Sequence, residues 1–211
     1  MRILVVSQYF WPESFVINDI VRILDEQGHF VVVATGKPNY PDGEVFDGYS
    51  AGGIQRERFT GRVDVLRVPL WPRGQGGAKG LILNYLSFVI SGLIFLPGML
   101  KGQKFDVILV FAPSPITQAI PAIFLKWLKR ARLILWIQDL WPESLAATGF
   151  VRSPYLLKVF GWGVREIYRC CDKLLVQSQA FFKPVARYTD AEKIHYYPNS
   201  LDVRSTKDGL K

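Results

Sequence analysis

The sequence holds only two cysteines and two histidines, and it has no glycine between Ser7 and Pro12, where its first apolar run ends. Each scarcity removes a class of function. Cys170 and Cys171 are adjacent, a spacing that disfavours a structural disulfide and offers no metal-ligand pattern. Free thiols in a reducing compartment are expected. His29 opens an apolar run and His195 lies inside another, neither with a carboxylate at useful spacing, so no histidine-based catalysis is expected. A Gly-x-Gly-x-x-Gly cradle for a dinucleotide pyrophosphate is missing after the first strand, which sets aside a Rossmann dehydrogenase. No solenoid-type repeat occurs. Met1-Arg2 leads straight into apolar residues instead of a signal peptide, so the chain is expected to start in the cytoplasm.

Acidic residues are outnumbered 18 to 26 by basic ones, giving a formal charge of +8 and a pI near 9.5. That balance suits an anionic partner: nucleic acid, an acidic membrane or a phosphorylated ligand. The arginines line no recognisable helix or aromatic ladder, so nucleic acid is not expected. Hydrophobic residues make up 49% of the chain, enough for a proper core.

Apolar runs at residues 2–6, 30–34, 106–111, 132–137, 173–176 and 193–197 read as strands. Two more strand-like runs lie at 54–59 and 63–68, joined by Thr60-Gly61. Helices are expected over 14–27, 115–129, 154–169 and 180–187, the first burying Phe15, Val16, Ile20, Val21, Ile23 and Leu24. Their alternation predicts an α/β, Rossmann-like, mostly parallel sheet with helices on both faces. Residues 1–198 are expected to form this domain, and 199–211 a linker or truncated tail.

One motif occurs twice. Gln-x-x-Trp-Pro-Glu-Ser stands at residues 8–14 and again at 138–144, each time directly after an apolar run. Both copies read as strand-to-helix corners at the carboxyl edge of the sheet, where open α/β sheets bind ligands. Two such corners side by side would line one wall of a cleft. The alternative is plain helix starting, with proline in a first turn and Glu and Ser meeting free backbone donors.

Residues 81–100 carry no charged side chain and match the roughly 20 residues needed to cross a bilayer. Asn84, Ser87, Ser91, Pro97 and two glycines, and a position between strands of one sheet, argue against a true span. The remaining readings are a helix packed on the sheet and a helix lying partly in the membrane interface. Lys79, Lys101 and Lys104 flank the segment, and Arg56, Arg58, Arg62, Arg67 and Arg73 precede it against Glu57 and Asp64. Peripheral attachment to an anionic membrane surface is expected.

Several stretches resemble a known family: residues 5–10 with Pro12-Glu13, Thr35-Gly36-Lys37-Pro38-Asn39-Tyr40-Pro41, Asn84-Tyr85-Leu86-Ser87-Phe88, the second corner from Trp136 to Ser144, Val176-Gln177-Ser178 and Tyr197-Pro198-Asn199. Together they resemble the amino-terminal, acceptor-side domain of GT-B glycosyltransferases of the large retaining family four. The likeness is strongest to bacterial enzymes of surface polysaccharides such as colanic acid and the O-antigen of lipopolysaccharide. The resemblance implies one half of a GT-B fold and transfer of a sugar from a nucleotide-sugar donor to an acceptor. That acceptor is often lipid-linked on a polyprenyl diphosphate, or an oligosaccharide, at the cytoplasmic face of the inner membrane. It implies no metal and no other cofactor. It also implies that the donor-binding domain lies beyond this chain or on a partner chain. The chain alone would then be inactive, or be a non-catalytic acceptor-binding subunit that recruits a separate donor-binding chain.

On this resemblance Asp139 is the catalytic candidate, holding acceptor or sugar hydroxyls, or else capping the following helix. Gln8 and Gln138 would bond sugar hydroxyls, and Glu13 and Glu143 would do so too or face their helix dipoles. Gln138 stands where many relatives carry histidine, and an amide holds a hydroxyl without moving a proton. Trp11 and Trp141 would stack on a sugar or pack between layers. Lys37, Asn39 and Tyr40 share a loop at the same sheet edge and would meet an acceptor diphosphate.

Overall fold

A computed structural model describes residues 1–75 and 77–199. The expected tail beyond Asn199 lies outside the described residues. The eight strands are β1 (Arg2–Val6), β2 (Phe30–Thr35), β3 (Gln55–Arg58), β4 (Asp64–Arg67), β5 (Val107–Ala112), β6 (Arg132–Ile137), β7 (Lys173–Val176) and β8 (Ile194–Tyr196). They form one sheet in the order β3-β4-β2-β1-β5-β6-β7-β8. Every pairing is parallel except that of β3 with β4. Among the described residues six α-helices connect them: α1 (Val16–Glu26), α2 (Ala78–Met99), α3 (Ala119–Lys129), α4 (Glu143–Ala147), α5 (Pro154–Cys170) and α6 (Phe182–Val185).

Successive strand side chains point to opposite faces, and the sequence exploits both. Leu4 and Val6 of β1 join Val32, Ile108, Val110, Leu133 and Leu135 in one core, which also takes residues of α2, α3 and α5. Ile3 and Val5 enter the other core, with Val31, Val33, Val65 and Trp136, against Ile17, Ile20 and Val21 of α1. After β4 the chain crosses back through α2 to β5 on the far side of β1. Connections therefore leave β1 and β5 in opposite directions, and the crevice between their carboxyl ends is the switch point of the sheet.

Several boundaries shift from the sequence expectation. Residues 115–129 and 180–187 each begin with a 3-10 turn before their helix. The first helix starts at Val16, so Pro12 lies outside it, whereas Pro142 is the N-cap of the short α4. Both Trp-Pro peptides, Trp11-Pro12 and Trp141-Pro142, are cis.

By length and composition α2 suffices to cross a membrane. It lies against the sheet instead. Phe88, Leu96 and Met99 are buried in the core while Ile82, Leu86, Ile90 and Ile94, four residues apart, form an exposed apolar ridge. Gly92 sits where α2 meets α3: a Cβ there would lie 2.9 Å from the Pro121 Cβ. The arginines before α2 do not form an open cationic surface. Arg67 is fully buried, Arg58 pairs with Asp64 and Arg62 with Asp25, and Arg56 donates to the Met99 carbonyl.

Candidate functional site

The first corner is wired inward. Glu13 is 2% exposed, and its Oε1 accepts the backbone N–H groups of Asn39 (2.9 Å) and Tyr40 (2.8 Å) while Oε2 accepts that of Phe10 (3.1 Å). One carboxylate thus ties the loop after β1 to the loop after β2. Burial pushes its pKa up to about 7, against the three N–H groups, which favour the ionised form. Arg67, from the end of β4, adds a second brace by donating to the carbonyls of Gly36 (3.0 Å) and Trp11 and pairing with Glu57. Its guanidinium also lies over the Tyr49 ring.

Gln8, Lys37 and Asn39 are interior residues too. The Gln8 amide donates to Asn84 Oδ1 at 2.6 Å. Lys37 Nζ donates to Gln55 at 2.9 Å, and burial with the neighbouring Arg67 lowers its pKa. Asn39 donates to the Lys37 carbonyl and accepts from Arg73 N and from Asn84. These three side chains and Glu13 shape the loops from beneath and present no surface to a ligand. That corrects the expectation of direct contact, because side chains with 2% exposure or less cannot meet a solvated acceptor without opening the loop.

The second corner is more open. Asp139 Oδ2 accepts from Trp141 Nε1 and from Ser144 Oγ, both at 3.1 Å, so it braces its own turn through side chains instead of capping backbone N–H groups. Its Oδ1 makes no hydrogen bond among the described residues. Gln138 Oε1 accepts from Asn199, its Nε2 is buried without a partner, and its carbonyl takes the Gln177 amide. Glu143 turns away from the first corner toward Tyr188 (3.4 Å) and Arg187.

The two tryptophans part company. Trp11 packs on Phe59 in the α1-side core, whereas Trp141 is buried beside Phe160 among the helices of the opposite face. Nor do the corners touch directly, since β5 lies between β1 and β6. They are joined through the loop after β5: Gln118 Oε1 accepts the Gln8 N–H (2.8 Å) and Ser114 Oγ accepts the Trp141 indole N–H (3.3 Å). The wall expected from two adjacent corners is therefore built from three loops.

At the carboxyl edge the loops after β2 and β4, the start of α2 and Phe150 enclose a pocket of about 810 Å³, lined by Tyr40, Asp42, Arg73, Leu81 and Phe150, among others, and by no residue of either Trp-Pro corner. Its two nearer loops are clamped together, for Gly74 N donates to the Gly43 carbonyl (2.9 Å) and a Cβ on Gly43 would lie 2.0 Å from the Gly74 oxygen. Gly43 also has a φ of +82°, a conformation that glycine adopts freely. Tyr40 is 39% exposed, and the Arg73 guanidinium lies over its ring at 5.3 Å. Arg73 forms no ion pair among the described residues. Nearby, burial pushes the Tyr9 phenol well above the ordinary range and raises that of Tyr85, so both remain neutral.

Arg73, Tyr85, Ser114 and Gln118 escaped the sequence reading as site residues. Asn84-Tyr85 was visible as a motif, but no sequence signal brings Arg73, on a glycine-rich loop, over Tyr40. No group of three or more His, Cys, Asp or Glu with metal-holding geometry occurs among the described residues.

Residues 14–200 match the model of the glycosyl transferase 4-like domain. The chain belongs to that family. It is 31% identical to WcaI of Escherichia coli (strain K12), named as a colanic acid biosynthesis glycosyl transferase, over 96% of this chain and 51% of WcaI. Among solved structures it is similar to an E. coli trehalose-6-phosphate structure bound with UDP-2-fluoro glucose (TM-score 0.64, 13% identity), covering 100% of this chain and 52% of that one. HepE of Anabaena, in complex with UDP and glucose, matches with a TM-score of 0.53 and 14% identity over 97% and 46%. The fold is that of one half of a GT-B glycosyltransferase. The chain spans about half the length of these relatives.

Proposed function

We propose that this family member supplies the acceptor side of a glycosyltransferase that moves a sugar from a nucleotide donor onto a lipid-linked acceptor in surface polysaccharide synthesis. The observation that carries the reading is the pocket at the carboxyl edge. Its volume lies in the range of small-molecule sites, and it holds an exposed ring, Tyr40, and the Arg73 guanidinium, which has no ion pair among the described residues; Asp139 stands outside its lining, on the loop after β6. Arg73 suits an acceptor phosphate, since a guanidinium binds phosphate oxygens through a planar fork. Tyr40 offers an apolar face for a sugar ring.

In transfer from a nucleotide sugar the leaving diphosphate's charge is the main thing to stabilise, and the acceptor hydroxyl needs orientation and late proton removal. Diphosphate stabilisation falls to the donor side. Orientation falls to this chain, with Asp139 Oδ1 accepting the hydroxyl while Oδ2 stays braced by Trp141 and Ser144. The setting proposed is the cytoplasmic face of the inner membrane, with the chain peripheral to an anionic surface.

The test is Asp139→Asn in the full-length protein. Asparagine keeps an oxygen for Trp141 and Ser144, so the turn survives while the charge is lost. Sugar transfer should fall by about an order of magnitude or more, the usual reach of a positioned acid–base group. Arg73→Ala should raise KM for a diphosphate-linked acceptor more than it lowers kcat. Unchanged kinetics in both variants would remove the acceptor-site reading.

A further inference from the structure

A second cavity lies on the helical face, between the turn that opens α3 and the middle of α5. It is a groove of about 400 Å³ whose lining is apolar except for Thr117, Glu166 and Cys170. Its inner end is Trp141, the residue whose indole N–H bonds both Asp139 and Ser114 of the candidate site. Its outer lip carries Val159 and Trp162, the latter 66% exposed. The groove therefore abuts the candidate site through the Trp141 side chain and opens at the surface beside Trp162.

That surface is of one kind. α2 packs on α3, and α3 on α5. The layer exposes the ridge of α2, Phe124 and Trp127 of α3, and Trp162 of α5. Lys79, Lys126, Lys129, Lys158, Arg165 and Arg169 stand on these helices, with Glu166 as their one acid; Lys126 pairs with Asp172 just beyond α5 and Arg169 with Glu166. Exposed tryptophans among an excess of cations complement an anionic bilayer.

We infer that the α3–α5 groove holds the hydrocarbon chain of the acceptor lipid, which enters from an anionic membrane against this face and lays its phosphate end at the carboxyl edge. The inference rests on the lipid-linked acceptor of the preceding section. Its own support is that Trp141 links the inner end of the groove to Asp139 and Ser114, and that the groove opens on the exposed apolar face that carries these cations. Gly163 is what leaves the groove open. It lines the cavity from within α5, and a Cβ there would meet nothing within 4 Å. A larger side chain at 163 fills the groove without displacing backbone, and leucine is a better helix former than glycine.

The experiment photolabels the chain with a benzophenone-bearing farnesyl diphosphate analogue and maps the adducts by peptide mass spectrometry. Label should fall on residues 116–123 and 159–167, and unlabelled farnesyl diphosphate should compete. Gly163→Leu should cut labelling by about tenfold, a loss of roughly 1.4 kcal/mol of binding, with the thermal midpoint unchanged or raised. Unchanged labelling in Gly163→Leu, or label confined to the α2 ridge, overturns the groove; if Arg73→Ala still weakens binding in that case, the acceptor-site reading stands alone. Groove labelling that is equal for farnesol and the diphosphate analogue and indifferent to Arg73→Ala keeps the chain site and sinks the diphosphate-linked acceptor. A concentration-dependent dimer abolished by Gly163→Leu would show that the groove pairs two copies of this chain, and would also overturn the proposal.

Discussion

Glu13→Gln is the substitution that best tests how the first corner is held. In the folded chain the Glu13 pKa rises from its ordinary 4.5 to about 7 because burial outweighs three backbone N–H donors. Native protein therefore binds a proton between those values that unfolded protein has released. The sign follows from linkage: stability is greatest below the unfolded pKa and falls as pH rises through the folded one. At roughly 1.4 kcal/mol per pH unit the full loss is about 3 kcal/mol, an upper bound. Glutamine does not titrate. Its oxygen replaces Oε1 and keeps the Asn39 and Tyr40 bonds, while its NH₂ faces the Phe10 N–H, as the hydroxyl of a protonated Glu13 would. Urea denaturation at about pH 5 and pH 8 compares the two chains. The stability of Glu13→Gln minus that of the parent should rise by up to about 3 kcal/mol between those conditions, leaving the variant at least as stable at the higher pH. A variant less stable by the same amount at both pH values would show that the N–H donors win over burial and that Glu13 is ionised throughout.

Arg67→Met should cost about 3–5 kcal/mol, because it leaves Glu57 and two loop carbonyls without their donor, and a fall in urea midpoint measures it. A loss below about 1 kcal/mol would mean the guanidinium does not hold the corner. Gly92→Ala sets helix propensity, worth about 1 kcal/mol in its favour, against overpacking on Pro121 that costs about 1–3 kcal/mol. Net destabilisation is expected, and a raised melting temperature would show that α2 and α3 do not press together there.

Sequence pattern alone located the strands among the described residues: runs such as Leu133 to Ile137 are short and continuously apolar, as buried parallel strands are, while the polar antiparallel β3 was marked by the Thr60-Gly61 turn after it. The same pattern placed both Trp-Pro corners at the carboxyl edge. It did not distinguish what their side chains do. Glu13 turns inward to three N–H groups while Glu143 turns to Tyr188, and Trp11 and Trp141 go to opposite faces, although the residues quoted are identical. Local sequence sets backbone preference and the alternation of faces. Which face a corner folds over depends on the partner strand and helix that the rest of the chain brings to it.

The basic residues make the same point. Composition registered an excess of cations, but charge counting cannot see that Arg67 is buried on Glu57, that Arg58 and Arg62 are paired, and that Arg73 is left over the pocket. Those outcomes follow from contacts between residues far apart in the chain, formed only when β4, the loops after β1 and β2, and α2 close on one another. Sequence by itself determined the α/β architecture and the family, while the strand order put β5 between the two corners and set the switch point beside β1. Tertiary structure decided which polar groups reach a ligand, because burial and pairing are properties of the packed chain.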